Sequence, residues 1–271
     1  MIRFLILAGY FELTMYLQLS GKLNQYINLH YSYLAYISMI LSFILAIVQL
    51  IIWMKQLKTH SHLHGKWAQF ASKALLAVPL AIGLLFPTVS LNSETVSAKG
   101  FHFPLAAGTS KDIQADEGTT SQYLKPDTSA YFTKNAYDKE MRATANKYLK
   151  KDHITVTTEN YMEVMEVLYD YPDEFTGKTL EFTGFVYNDP SDSNQQFLFR
   201  FGIIHCIADS GVYGMLITGN TQHYDDNTWI HAKGKIAIHY HKQLGQSLPT
   251  LEVESFEKVD KPDNPYVYRV F

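Results

Sequence analysis

The sequence predicts a protein in two parts: an α-helical membrane region of about three transmembrane helices, then an α+β, mainly β soluble domain resembling an OB-like five-stranded barrel. Three observations carry this. Apolar residues crowd the first ninety positions in runs close to the length that crosses a bilayer. The stretch 92–135 is polar and aperiodic and reads as a linker or stalk. Beyond it, alternating apolar and polar segments recur between turns marked by Gly, Asp and Asn.

The first apolar run is 2–19, interrupted by Arg3 and Glu12. The second is 31–53, and the third is 74–91, with Pro79 and Pro87 inside it. Crossing a hydrocarbon core about 30 Å thick takes about 20 mostly apolar residues in a helix. The second run meets that length easily and the other two narrowly. The first run ends in Gln18-Leu19-Ser20-Gly21-Lys22, a weak match to a signal-peptide cleavage site, so it is expected to be retained. Val96-Ser97-Ala98 matches better, but three preceding spans argue against processing there.

Orientation follows from the basic residues of the short loops. Lys55, Lys58, Lys66 and Lys73 follow the second run, whereas Lys22 alone lies between the first two and Lys99 alone follows the third. The lysine-rich loop and the N-terminus are therefore expected in the cytoplasm. The expected product is a multi-pass cell-membrane protein, its spans in contact with lipid and its domain 136–271 extracytoplasmic.

Within that domain, 137–149 and 159–170 carry helical spacing; in the second, Tyr161, Val164, Met165 and Leu168 share a face. Strands are expected at 179–187, 196–207, 212–218, 229–240 and 248–259, with Gly184 marking a bulge or bend. A helix before five strands departs from the usual order of such barrels, in which a helix lies between the third and fourth strands. Phe182, Phe197, Phe199 and Phe201 alternate as a core face does. With a net charge of -3 and no basic groove, the domain gives no footprint for nucleic acid.

One cysteine, Cys206, excludes an internal disulfide and a CxxC knuckle. No nucleophile elbow, HExxH, P-loop or dinucleotide fingerprint occurs, so no enzyme is indicated and no cofactor is implied beyond a divalent metal suited to histidine patches. Four groups of residues carry chemistry. Glu12 is a carboxylate in mid-span, facing a partner helix or ion path, or else hydrogen-bonded among Tyr10, Tyr16 and Tyr36. His60, His62 and His64 alternate in the cytoplasmic loop and form a candidate metal patch, or plain polar surface. His205, Cys206 and Asp209 are potential ligands in the densest polar knot of the domain; on a regular strand His205 and Cys206 would point to opposite faces. His231, His239 and His241 share one strand face, and His239 and His241 are close enough to ligate one ion; the alternative is a solvated polar face.

The order of these pieces resembles the YcgQ-type family of bacterial membrane proteins. The resemblance rests on Met1 to Gly9, on Leu19-Ser20-Gly21, on Tyr26-Ile27-Asn28 and on Tyr31-Ser32-Tyr33-Leu34. In the domain it rests on Gly177-Lys178 leading to Gly184-Phe185-Val186-Tyr187, on Arg200-Phe201 through Cys206-Ile207-Ala208-Asp209, and on Pro262-Asp263-Asn264-Pro265-Tyr266-Val267-Tyr268. It implies an accessory subunit of a membrane permease, partnered by a larger polytopic permease of the arsenical-efflux type, with a metal or metalloid ion as the natural cargo. Family members carry adjacent cysteines before the Ala-Asp step. His205 replaces the first here, which weighs against a dithiol while keeping a His-Cys pair for a soft ion. Two other readings stay open: a membrane-anchored module that binds or senses a ligand, and an extracytoplasmic enzyme dependent on Cys206.

Overall fold

The computed structural model describes residues 1–57, 65–86, 90–99, 134–190, 192, 195–219, 222–242 and 244–269. The chain forms two compact units, Met1–Ser90 and Leu91–Phe271.

The first unit contains α1 (Ile2–Leu19), α2 (Ser32–Met54) and α3 (Lys66–Leu85), each long and apolar enough to cross a membrane. α1 packs against both of the others. Glycine permits close approach of α1 and α3: a Cβ on Gly83 would come within 2.8 Å of Leu13, and Gly9 is similarly crowded by Leu80. Tyr10 donates to the Leu76 carbonyl at 2.8 Å, beside the turn that Pro79 disrupts by lacking an N–H. Phe11 and Phe43 join α1 to α2 with ring centroids 5.1 Å apart. Outward-facing Leu41, Ile44, Ile47, Val48 and Ile51 leave α2 with an apolar surface that suits lipid or another protein. The third helix starts eight residues before its apolar run and ends at Leu85; Phe86 is already extended, as a residue preceding proline prefers. Pro87, expected inside that span, follows its end and lies outside the described residues.

The second unit contains α4 (Ser93–Lys99), α5 (Lys134–Leu149), β1 (His153–Thr155), α6 (Tyr161–Asp170), α7 (Pro172–Phe175), β2 (Thr179–Asn188), β3 (Gln196–Ile203), β4 (Gly211–Thr218), β5 (Trp229–His241), β6 (Gln246–Lys258) and β7 (Tyr266–Tyr268). The strands form one seven-stranded mixed sheet in the order β1-β2-β5-β6-β4-β3-β7, with β2 also paired to β3. The five longer strands therefore form a circuit of pairings, β2–β5–β6–β4–β3–β2, of which only β4–β6 is parallel. β2 changes partner near Phe185, pairing β5 before it and β3 after it. Gly184 permits this hand-over, since a Cβ there would lie 2.7 Å from the Phe199 carbonyl oxygen. The register irregularity of the sheet falls elsewhere, at Lys233/Gly234.

The core lies between α6 and the sheet. Tyr161, Met162, Val164, Met165, Val167, Leu168 and Tyr169 are all buried, as are Phe182, Phe197, Phe199 and Phe201 of the strands. The helix at 159–170 is thus α6, two residues shorter at its start. Tyr169 Oη donates to the Gly214 carbonyl at 2.7 Å and accepts from its amide at 2.8 Å, satisfying backbone where the helix crosses β4.

The beginning of the stretch expected as linker is built into this unit. Val96 is buried in α4. The Leu91 amide donates to Tyr266 Oη at 3.0 Å, and the Ser93 amide to Asn227 Oδ1 at 2.8 Å. The Val96-Ser97-Ala98 tripeptide therefore lies on a packed helix.

Candidate functional site

The polar knot after β3 is a tight turn rather than a strand. β3 ends at Ile203, four residues earlier than its apolar pattern suggests, and Ile207–Asp209 forms a single 3-10 turn. Asp209 closes it. Its Oδ2 accepts from the His205 amide at 2.9 Å, and its Oδ1 from the Cys206 amide at 3.0 Å. In return the Asp209 amide donates to the Cys206 carbonyl at 3.1 Å, and the Cys206 side chain completes a capping box. With the strand ended, alternation no longer sends His205 and Cys206 to opposite faces.

Asp209 Oδ2 also lies 2.9 Å from His205 Nδ1. A carboxylate accepts only, so Nδ1 carries the proton and Nε2 is the acceptor nitrogen when the ring is neutral. That carboxylate–histidine arrangement is the one that orients an imidazole for an electrophile or metal ion. Cys206 is half-buried beside it. The knot offers an oriented imidazole and a thiol on adjacent residues, while Asp209 itself is occupied by the turn.

The histidines of β5 have separate partners. His231 Nδ1 is 2.9 Å from Thr183 Oγ1, and His239 Nε2 is 3.0 Å from Glu252 Oε1. His241 Nε2 is 2.8 Å from Asp189 Oδ2, with both side chains buried. His239 and His241 are each held by a different carboxylate. Among the described residues no group of three or more His, Cys, Asp or Glu side chains is arranged to hold a metal ion. His60, His62 and His64 lie outside the described residues.

Glu12 lies on the outward side of α1. It shares a helical stripe with Leu5, Tyr16 and Leu19, all exposed. Tyr10, one of its expected partners, is turned instead toward α3. Among the described residues Glu12 makes no hydrogen bond or ion pair.

One residue with a pronounced role stood in the sequence within the polar knot and the family-like Arg200-Phe201 run, with no role assigned to it. Arg200 is 3 % exposed in β3 and has no carboxylate within ion-pair distance among the described residues. Its guanidinium donates to the carbonyls of Asn264 at 2.9 Å, Pro265 at 3.3 Å and Tyr266 at 3.3 Å, and to Thr158 Oγ1 at 3.0 Å. Tyr161 and Trp229 flank it at 5.6 and 5.7 Å from their ring centroids. Burial pulls its pKa below the ordinary arginine value, and nearby Tyr161 opposes that shift. The signal for it was a lone cation inside an otherwise apolar strand.

Comparison with known proteins also divides the chain in two, with the first match running on through α4 of the second unit. Residues 2–102 match the DUF1980 N-terminal domain, and residues 131–269 match the DUF1980 C-terminal domain. The chain belongs to the DUF1980 family. A Streptococcus mutans relative, named "Putative two-component membrane permease complex subunit", is 65 % identical over 271 residues and aligned over the full length of both chains. The UPF0703 protein YcgQ of Bacillus subtilis is 38 % identical over 291 aligned positions, again over all of both chains. The resemblance to the YcgQ-type family therefore extends over the whole DUF1980 chain, including the Arg200 and Asp209 segments that organise the second unit.

Proposed function

We propose that this chain is the accessory subunit of a two-component membrane permease complex, docked on its partner through the outward face of α1. The observation that carries this is Glu12. A carboxylate in the middle of an apolar helix is costly against lipid and marks a protein-facing or functional surface. The inner faces of α1 are taken up by α2 and α3. Its outward stripe is therefore left for another chain, in keeping with the name of the Streptococcus mutans relative.

In this reading the partner is a larger polytopic permease of the arsenical-efflux type, and the cargo is a metal or metalloid ion. The basic residues of the short loops favour a cytoplasmic N-terminus and an extracytoplasmic second unit. The pairing circuit of β2 to β6, with its one parallel contact, supports an OB-like barrel for that unit. Purifying the tagged chain from native membranes in mild detergent tests the reading. A stoichiometric polytopic protein is expected with the wild type and with Glu12→Gln, and is expected to be lost with Glu12→Leu. Recovery of the chain alone, or equal recovery of the partner with all three, would overturn it.

A second reading is favoured by the turn after β3. There the membrane unit is an anchor, and His205 Nε2 with Cys206 Sγ captures a soft ion outside the membrane. Calorimetric titration of the full chain with Zn²⁺ or Cu⁺ separates the two. Binding that disappears in Cys206→Ser, together with no co-purifying permease, would favour this module.

A further inference from the structure

The three helices of the first unit border a half-open pocket of about 210 Å³ at the end of the unit that holds the start of α1. Six polar residues line it: Arg3 and Tyr10 from α1, Gln49 from α2, and Gln69, Ser72 and Lys73 from α3. Ile6, Leu7 and Leu76 complete the lining, whose exposed surface is mostly apolar; its charged groups are two cations, with no carboxylate. Among the described residues neither Arg3 nor Lys73 makes an ion pair. Both lie where the apolar stretches of their helices begin, which is the depth of lipid headgroups. Two cations gathered between membrane helices without a counter-charge call for an anion. Arginine offers a planar fork and lysine a point charge, and together they suit the tetrahedral oxygens of a phosphate.

We propose that this pocket binds a phosphate group, presented by the headgroup of an anionic membrane lipid. The acyl chains lie along the exposed apolar faces of α1 and α3, and Gln49, Gln69 and Ser72 supply hydrogen bonds to the remaining phosphate oxygens. A basic pocket between helices is a recurrent form of headgroup site. It is separate from Glu12 and independent of the permease partner.

The test uses the full chain in detergent, with bound lipid counted by native mass spectrometry. Phosphatidylglycerol is added to the wild type, to Arg3→Gln/Lys73→Gln and to the charge-keeping Arg3→Lys/Lys73→Arg; phosphatidylcholine and inorganic phosphate are parallel probes. Retention of phosphatidylglycerol by the wild type and the charge-keeping variant is expected, with a loss of more than about tenfold in the double Gln variant at unchanged melting temperature. Inorganic phosphate displacing the lipid, with the same dependence on residues 3 and 73, would also support the site. Inorganic phosphate bound with that dependence while phosphatidylglycerol is not retained would overturn the lipid source. Equal retention of both lipids, or phosphatidylglycerol binding unchanged in the double Gln variant, would overturn the proposal.

Discussion

His241 and Asp189 meet at 2.8 Å with their side chains 1 % and 4 % exposed, joining the end of β5 to the turn after β2. The Leu244 amide donates to His241 Nδ1 at 3.3 Å, which assigns the ring proton of the neutral imidazole to Nε2 and directs it at the carboxylate. His241→Ala would leave a buried carboxylate short of a donor. A loss of about 3 kcal/mol is expected, and Asp189→Asn/His241→Gln is expected to recover part of it. Thermal melts of the detergent-solubilised chain, followed by near-ultraviolet circular dichroism, measure both.

Tyr169→Phe removes one hydroxyl and leaves two buried backbone groups of Gly214 unpaired. The expected cost is about 2 kcal/mol, with little change in packing because the ring remains. Amide exchange at Gly214 is expected to rise while amides of β5 stay protected. Equal loss of protection throughout the sheet would contradict so local a role.

Arg200→Lys keeps the charge but not the fork that reaches three consecutive carbonyls. Faster hydrogen exchange and earlier protease cleavage across 262–268 are expected, ahead of any change in α6. Arg200→Met fills the same space without a charge to bury. If it is as protected as the wild type, the hydrogen bonds to the C-terminal segment carry no weight.

Glu181 provides a pH signature. Its carboxylate accepts from Thr155 Oγ1 at 2.8 Å and lies 3.3 Å from His153 Nε2. The Thr155 bond first, and His153 after it, hold its pKa below the ordinary value of 4.5. A lowered folded-state pKa contributes stability that is fully present above the unfolded value and is lost as pH falls through the folded one. The part of the stability difference between wild type and Glu181→Gln that rests on the neutral Thr155 hydroxyl is therefore expected to be level above about pH 5.5 and to shrink as pH falls below the ordinary carboxylate range. Urea midpoints across that range check the sign.

The long elements were legible because burial imposes a period. Alternation placed β2, β4, β5 and β6 within a few residues, and the apolar runs placed α1 and α2. What escaped depends on single side chains. β3 stops at Ile203 because one carboxylate, Asp209, captures two amides, an event that leaves Ile204 and Ile207 looking like strand. Residues 92–99 read as linker because Ser93, Glu94, Ser97 and Lys99 are polar, yet the buried Val96, with the Ser93 amide bonded to Asn227, docks a two-turn helix. α3 starts early because Lys66 and Gln69 are good helix formers that hydropathy alone discounts.

The candidate site was legible in part for the same reason. Alternation identifies His231, His239 and His241 as related positions on β5, but not what stands opposite each; Thr183, Glu252 and Asp189 come from β2, β6 and a turn far off in sequence. Asp189 looked like an ordinary turn residue. Glu12 was legible as an anomaly from composition, whereas the direction it faces required the packing of α1 against α3.

The bond between the Leu91 amide and Tyr266 Oη bears on how the protein is made. Leu91 leaves the ribosome 175 residues before Tyr266, so the segment that opens the second unit waits through nearly all of its synthesis for the residue that holds it. β2 to β6 have their pairing partners in hand earlier, but the clasp of Leu91, Arg200 and β7 closes only after residues 264–266 have emerged. A chain cut before residue 262 is expected to keep the pairings of β2 to β6 while the Leu91 amide and the Arg200 guanidinium lack these partners, a mark by which proteases can tell an unfinished copy from a finished one.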